Sequence, residues 1–211
     1  MLEMGAEEEA IAFDERGLVP CVVQDWRTGE VLTLAYMNQE ALDRTLTSGE
    51  VHFWSRSRDE LWRKGETSGN TLNLRSIRYD CDADALLAFV EPAGPACHTG
   101  ERTCFYRSLG QSRVALHEAL PALERTLEQR RQELPEGSYS AELFRGGPEA
   151  IGAKIEEEAE ETARAGREDS DERLRAEAAD LLYHVGVLLH ARGLSFPDAF
   201  EELTARMPVS Q

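Results

Sequence analysis

A chain of 211 residues, 41% of them hydrophobic, has room for one large or two small domains. A formal net charge of −17 argues against nucleic-acid binding, which needs cationic surface to meet phosphates, although a nucleotide can be held if a metal carries the phosphate charge. The longest plain apolar run, residues 85–90, cannot cross a bilayer, the acidic first ten residues show no secretory leader, and four cysteines without a disulfide framework fit a reducing cytoplasm.

Up to about residue 110, short apolar runs alternate with turn residues. Residues 19–24 and 31–36 flank Asp25-Trp26-Arg27-Thr28-Gly29 and predict a hairpin. Asn38 is placed to cap a short helix through Thr47, with Leu42 and Leu46 one turn apart. Residues 51–55, 72–79 and 85–90 predict further strands. Trp54, Arg56, Arg58, Trp62, Arg63 and Lys64 form a basic, aromatic block. It reads either as a grip for phosphate and base or as an ordinary amphipathic strand pair.

Beyond Gln111 the pattern is helical. Val114, Leu116, Leu120, Leu123 and Leu127 give an amphipathic repeat in which Pro121 implies a kink or a nearby helix start. Residues 134–139 break it. Two strong helices are predicted over about 148–166 and 170–192, with Gly166 and Gly193 as stops, and Ser195 caps a last short helix. The fold class is α+β: an N-terminal, mostly-β metal-binding domain over residues 1–110 and a C-terminal all-α bundle over residues 111–211.

Two groups of residues carry chemistry. Asp80-Cys81-Asp82-Ala83-Asp84 and Cys97-His98-Thr99-Gly100-Glu101-Arg102-Thr103-Cys104 put three thiols and three alternating aspartates close together in sequence. Thiolates suit zinc and carboxylates suit magnesium. Three thiols with no fourth protein ligand match a catalytic zinc with an open water position, but the same residues read equally as free cysteines beside an acidic turn. On a strand, Asp80, Asp82 and Asp84 would share one face and Cys81 the other. Cys21, among valines, reads as an inert core thiol.

In the helical half, Glu158 follows Ile151 and Ile155 on the core stripe, with Glu161 beside it. On the next helix Glu177 shares a stripe with Leu174 and Leu181, and Asp180 and His184 run along its edge. Buried carboxylates are costly unless they are paired or bind metal, and oxygen-only ligation favours magnesium or manganese. The competing reading is interhelical ion pairing with Lys154, Arg173 and Arg175.

Six blocks together resemble phosphoribosyl-AMP cyclohydrolase over residues 17–107. They are Asp25–Glu30, Ala35–Asn38, Phe53–Arg58, Leu61–Asn70, Asp80–Asp84 and Cys97–Glu101. The second half resembles phosphoribosyl-ATP pyrophosphohydrolase through Gly137–Ala141, Lys154-Ile155, Glu157–Glu161 and Glu177–His184, with Glu142 standing where lysine is usual. The two enzymes occur fused in histidine biosynthesis.

The resemblance implies that the C-terminal half releases pyrophosphate from phosphoribosyl-ATP and that the N-terminal half then opens the purine of phosphoribosyl-AMP. It implies magnesium on Glu158, Glu161, Glu177 and Asp180, with Glu157 as base or further ligand and Lys154 on a phosphate. It implies zinc on Cys81, Cys97 and Cys104, His98 as proton shuttle, and magnesium on Asp80, Asp82 and Asp84. Trp54, Arg56, Arg58, Trp62 and Lys64 would bind the nucleotide. A homodimer is implied, with the zinc ligands drawn from two subunits. The alternative from another class is a zinc-stabilised binding module fused to a helical dimerisation domain, without turnover.

Overall fold

Alternation of side chains fixes the first strand. In β1 (Val19–Asp25) the side chains of Val19, Cys21, Val23 and Asp25 are buried, and Pro20, Val22 and Gln24 between them are half-buried on the opposite face. The computed structural model describes residues 10–110 and 115–207. The acidic N-terminal residues 1–9, Val114 of the helical repeat and residues 111–113 of the expected domain junction lie outside the described residues. The chain divides into two units, residues 1–114 and 115–211.

The first unit is a six-stranded sheet of order β4-β3-β2-β1-β6-β5. The hairpin of β1 with β2 (Val31–Met37) is antiparallel, as its turn residues predict. The side chain of Asn38 accepts the Ala41 N–H at 2.9 Å and starts α1 (Gln39–Ser48). Ala41, Leu42 and Thr45 of that helix are buried in the sheet's core. β3 (His52–Ser55), β5 (Leu72–Tyr79) and β6 (Leu86–Pro92) fall where the apolar runs place them.

β4 (Glu60–Arg63) is not among the expected strands; two charged and two apolar residues are too short a signal. It pairs with β3 through Phe53 opposite Trp62, which is the strand-pair reading of the aromatic block. β6 runs parallel to β1, with Leu86 opposite Cys21, and antiparallel to β5.

The second unit is helical. Pro121 sits in the first turn of α2 (Ala119–Glu133), where a missing N–H costs nothing, so it marks a helix start. Leu134 and Gly137, both at positive φ, break the chain before α3 (Tyr139–Glu168). That helix is two segments, broken at Gly147 (φ 75, ψ −178), with Pro148 opening the second. The expected helix from 148 is this second segment, and the segment before Gly147 has no counterpart among the expected helices.

Gly166 is not a stop. α3 continues to Glu168, and a Cβ at Gly166 would make only ordinary contact, 3.7 Å, with Leu174 of α4 (Asp171–Ala191). Gly193 (φ 73) follows the end of α4 as expected. Ser195 and Asp198 cap α5 (Phe196–Arg206) reciprocally. Leu127, Leu143, Ile151 and Val187 form the helical core. Among the described residues no helix is long and apolar enough to cross a membrane.

Candidate active sites

After β6 the chain turns back on itself. The Ala96 N–H donates to the Arg102 carbonyl (3.1 Å) and the Cys97 N–H to the Glu101 carbonyl (3.0 Å). The Thr103 hydroxyl then donates to the Val31 carbonyl (2.7 Å) and the Cys104 N–H to the Leu32 carbonyl (2.8 Å), which ties the loop to the start of β2. These bonds bring the Cys97 and Cys104 thiols close enough to influence each other's titration. The Thr99 hydroxyl donates to Cys97 Sγ at 3.1 Å and is the main reason that this thiol is shifted below its ordinary value. Desolvation pushes the Cys104 thiol up. The Lys64 ammonium is lowered by burial and partly restored by the two thiols, so a cation stands beside the pair.

The thiol pair opens into a cavity of about 700 Å³, whose lining includes Arg58, Trp62, Lys64, Cys97, His98 and Cys104. His98 is exposed, its Nδ1 4.0 Å from Cys97 Sγ. Thr67, Ser68 and Asn70 also line the cavity. Sequence reasoning gives them no role, although the glycines around them are a signal. At Gly65 (φ 88) a Cβ would lie 2.5 Å from the Asn70 backbone, so only glycine closes this loop. Trp54 and Arg56 do not line the cavity. Strand alternation puts Phe53 and Trp62 on the core side and Trp54 on the other, opposite Tyr36, whose ring carries the Arg56 guanidinium 3.8 Å from its centroid.

Asp80, Asp82 and Asp84 are not on a strand. They occupy the turn from β5 to β6, where Asp80 Oδ1 accepts the N–H groups of Asp84 (3.0 Å) and Ala85 (3.1 Å), and Ala83 takes φ 59. The turn, rather than strand alternation, gathers the three exposed carboxylates so that each offers an oxygen within 4.8 Å of the others. Repulsion from Asp82 and then Asp80 raises the Asp84 carboxyl.

Cys81 is exposed on the same turn and far from the other thiols. The turn precedes Leu86, which stands opposite Cys21, so it lies toward the Val19 end of β1. Cys104 is bound to Leu32, toward the opposite end of β1. Strand rise and spacing put the two places on the order of 15 Å apart. Thiolates sharing one zinc ion lie only about 4 Å apart.

In the helical unit Glu158 and Glu161 of α3 and Glu177 of α4 each offer an oxygen within 4.8 Å of the others. Glu177 is 4% exposed, and its carboxyl is raised by burial against the opposing effect of Arg173, with Glu161 and Glu158 adding repulsion. Arg173 pairs with Glu177, Lys154 with Glu157 (2.6 Å) and Arg175 with Glu172 (3.1 Å), each within one helix; of the interhelical pairs of the competing reading, Arg173 makes one, to Glu161 at 3.9 Å.

Asp180, one turn beyond Glu177, is exposed and outside the three-carboxylate group. Its backbone carbonyl is 2.9 Å from Nδ1 of the buried His184. His184 Nε2 is 2.8 Å from the Tyr139 hydroxyl, and Nδ1 lies 3.7 Å from Glu158. Sequence reasoning puts His184 on this edge without giving it work to do.

Comparisons with known proteins parallel this division. Residues 33–106 match the family model of phosphoribosyl-AMP cyclohydrolase, and residues 120–207 match that of phosphoribosyl-ATP pyrophosphohydrolase. The chain is 48% identical over 201 residues to the histidine biosynthesis bifunctional protein HisIE of Bacillus subtilis (strain 168), covering 95% of this chain and 96% of that one. It is 50% identical over 197 residues to the protein of the same name from Thermus thermophilus, covering 93% and 92%.

Proposed function

The chain belongs to the family of bifunctional phosphoribosyl-AMP cyclohydrolases and phosphoribosyl-ATP pyrophosphohydrolases of histidine biosynthesis, and from that premise we propose how its two units divide the work. It is a bifunctional hydrolase. The helical unit converts phosphoribosyl-ATP and water to phosphoribosyl-AMP and pyrophosphate. The sheet unit then adds water at C6 of the purine and breaks the N1–C6 bond. A binding module without turnover is set aside by this membership. Free thiols suit a reducing compartment, and the protein works in the cytoplasm.

The observation that carries the sheet-unit reading is the thiol pair facing a cationic, aromatic cavity. Arg58 and Lys64 hold phosphate, and the Trp62 ring packs against the base. His98, at the cavity rim, carries protons between water and the ring nitrogen. Cys97 and Cys104 have the soft donors that zinc prefers; held there, zinc would act as a Lewis acid and make water nucleophilic near neutral pH.

The third thiol is the partner subunit's Cys81, because one chain cannot bring all three together. The other face of the sheet supports a homodimer. Val22, Leu34, Tyr36, Trp54, Leu87 and Phe89 lie there by register, half-buried or exposed. Asp80, Asp82 and Asp84, beside Cys81, offer oxygen donors for magnesium.

In the helical unit Glu158, Glu161 and Glu177 would hold magnesium, joined by Asp180 from one turn along α4, and the ion would neutralise the charge of the leaving pyrophosphate. Glu157 takes the proton of the attacking water, and Lys154 turns to a phosphate. Their mutual ion pair is exposed and weak enough to give way to substrate. One experiment tests both halves: the full chain is given phosphoribosyl-ATP while pyrophosphate release and the absorbance change of purine opening are followed together. Both signals are expected. Their absence from folded, metal-supplied protein contradicts the proposal.

A further inference from the structure

An ion pair between a buried carboxylate and a partly exposed guanidinium stands behind the thiol loop. Glu30 ends the β1–β2 turn, and its side chain is 5% exposed. The turn itself is fixed. Asp25 accepts the N–H groups of Arg27 (2.8 Å) and Thr28 (3.1 Å), and the Asp25 N–H donates to the Glu30 carbonyl (2.8 Å). The Glu30 carboxylate has a partner on each oxygen. Oε1 is 2.5 Å from the Arg102 guanidinium, and Oε2 accepts the Thr28 hydroxyl at 3.3 Å.

Arg102 lies between the two thiols in the chain. Its carbonyl accepts the Ala96 N–H, one residue before Cys97, and the next two residues bind β2 through Thr103 and Cys104. Its Nε is buried without a hydrogen-bond partner, so its hold on the interior is through the terminal nitrogen that meets Glu30.

A buried carboxylate is costly unless paired, and an apolar pair of the same volume would often stabilise the fold as well. What an apolar pair would not do is fix a loop in one orientation through a directed, charge-assisted bond. We infer that Glu30, acting through Arg102, is the positioning residue of the thiol pair, setting how tightly Cys97 and Cys104 hold a soft metal ion. This inference rests on the zinc reading given above.

The test compares full-length, zinc-loaded wild type with Glu30→Gln, Arg102→Gln, the double variant and Cys104→Ala, each titrated with a chromophoric zinc chelator. Glu30→Gln and Arg102→Gln are expected to weaken zinc binding about 10- to 100-fold, the usual range for outer partners of metal ligands. The double variant is expected to be no weaker than the poorer single one, because both changes break one contact. Melting of the zinc-free proteins shows that the fold persists. If Glu30→Gln does not fold, Thr28→Val leaves the carboxylate and removes the hydroxyl that donates to Oε2 and accepts the Glu30 N–H (both 3.3 Å), and a several-fold weakening is expected. Wild-type zinc affinity in the Glu30 and Arg102 variants, with loss in Cys104→Ala, overturns the positioning role and leaves the zinc reading intact. Unchanged affinity in Cys104→Ala overturns the zinc reading, and the inference with it.

Discussion

The guanidinium of Arg173 lies against the buried carboxylate of Glu177, one turn further along α4, and 3.9 Å from Glu161 on α3. A monovalent cation thus sits where the helical unit gathers three carboxylates. Arg173 is 55% exposed and free to swing outward, whereas Glu177 is held inside.

Arg173→Ala is therefore expected to lower the melting temperature in magnesium-free buffer, since Glu177 loses its counter-charge beside two other acids. Added magnesium should restore most of the loss and stabilise the variant more than it stabilises wild type. Melting curves with and without magnesium check this. Equal magnesium shifts in both proteins would mean that the arginine and the ion do not compete.

Glu158→Gln and Glu177→Gln keep the shape of the side chain and remove a charge that the metal needs. Each is expected to slow pyrophosphate release by on the order of 100-fold or more, while added phosphoribosyl-AMP is still opened. Asp180→Asn, outside the tight group, tests whether the fourth carboxylate joins when substrate is present. An ion-pair role alone gives the opposite pattern: lower melting temperature with release nearly intact. Measuring both quantities on the same proteins separates the two.

Glu128 on α2 offers a pH test away from the proposed sites. Hydrogen bonds from Arg131 first, then from Gln132 and His190, hold its carboxyl at about 2, below the ordinary 4.5. A depressed carboxyl contributes stability that is full above the unfolded value and is lost as pH falls toward the folded one. The melting difference between wild type and Glu128→Gln should be present at neutral pH and shrink between about 4.5 and about 2. A constant difference across that window would contradict the assignment.

How much of this is legible in the sequence depends on the range of the interaction. The Asn38 cap, the β1–β2 hairpin and the core stripe of Glu158 and Glu177 follow from neighbours a few residues apart, and the structure has them. β4 fails as a signal because its partner, β3, supplies what four residues cannot. The alternating aspartates imitate a strand, but Asp80 bonds to Asp84 and Ala85 and makes a turn. Gly147 stands just before the helix expected from about 148, and its positive φ marks the break between the two segments of α3. The separation of Cys81 from Cys97 and Cys104 needs the order and register of six strands, which no local pattern contains.

That separation gives the sharpest test of the homodimer. If each zinc site takes Cys97 and Cys104 from one subunit and Cys81 from the other, neither Cys81→Ala nor Cys104→Ala protein opens phosphoribosyl-AMP alone. Mixed and reassembled, a heterodimer has one site with all three thiols and one site lacking two. Random pairing makes half of the dimers mixed, each with one of two sites intact, so about one quarter of wild-type purine opening should return. Pyrophosphate release should be normal throughout, because the helical unit has its own carboxylates. Sites built within one chain predict no recovery, since every thiol triad in the mixture would lack one member. Recovery that grows with reassembly time, while the singly mutated proteins stay inactive, requires thiols from two subunits at one metal.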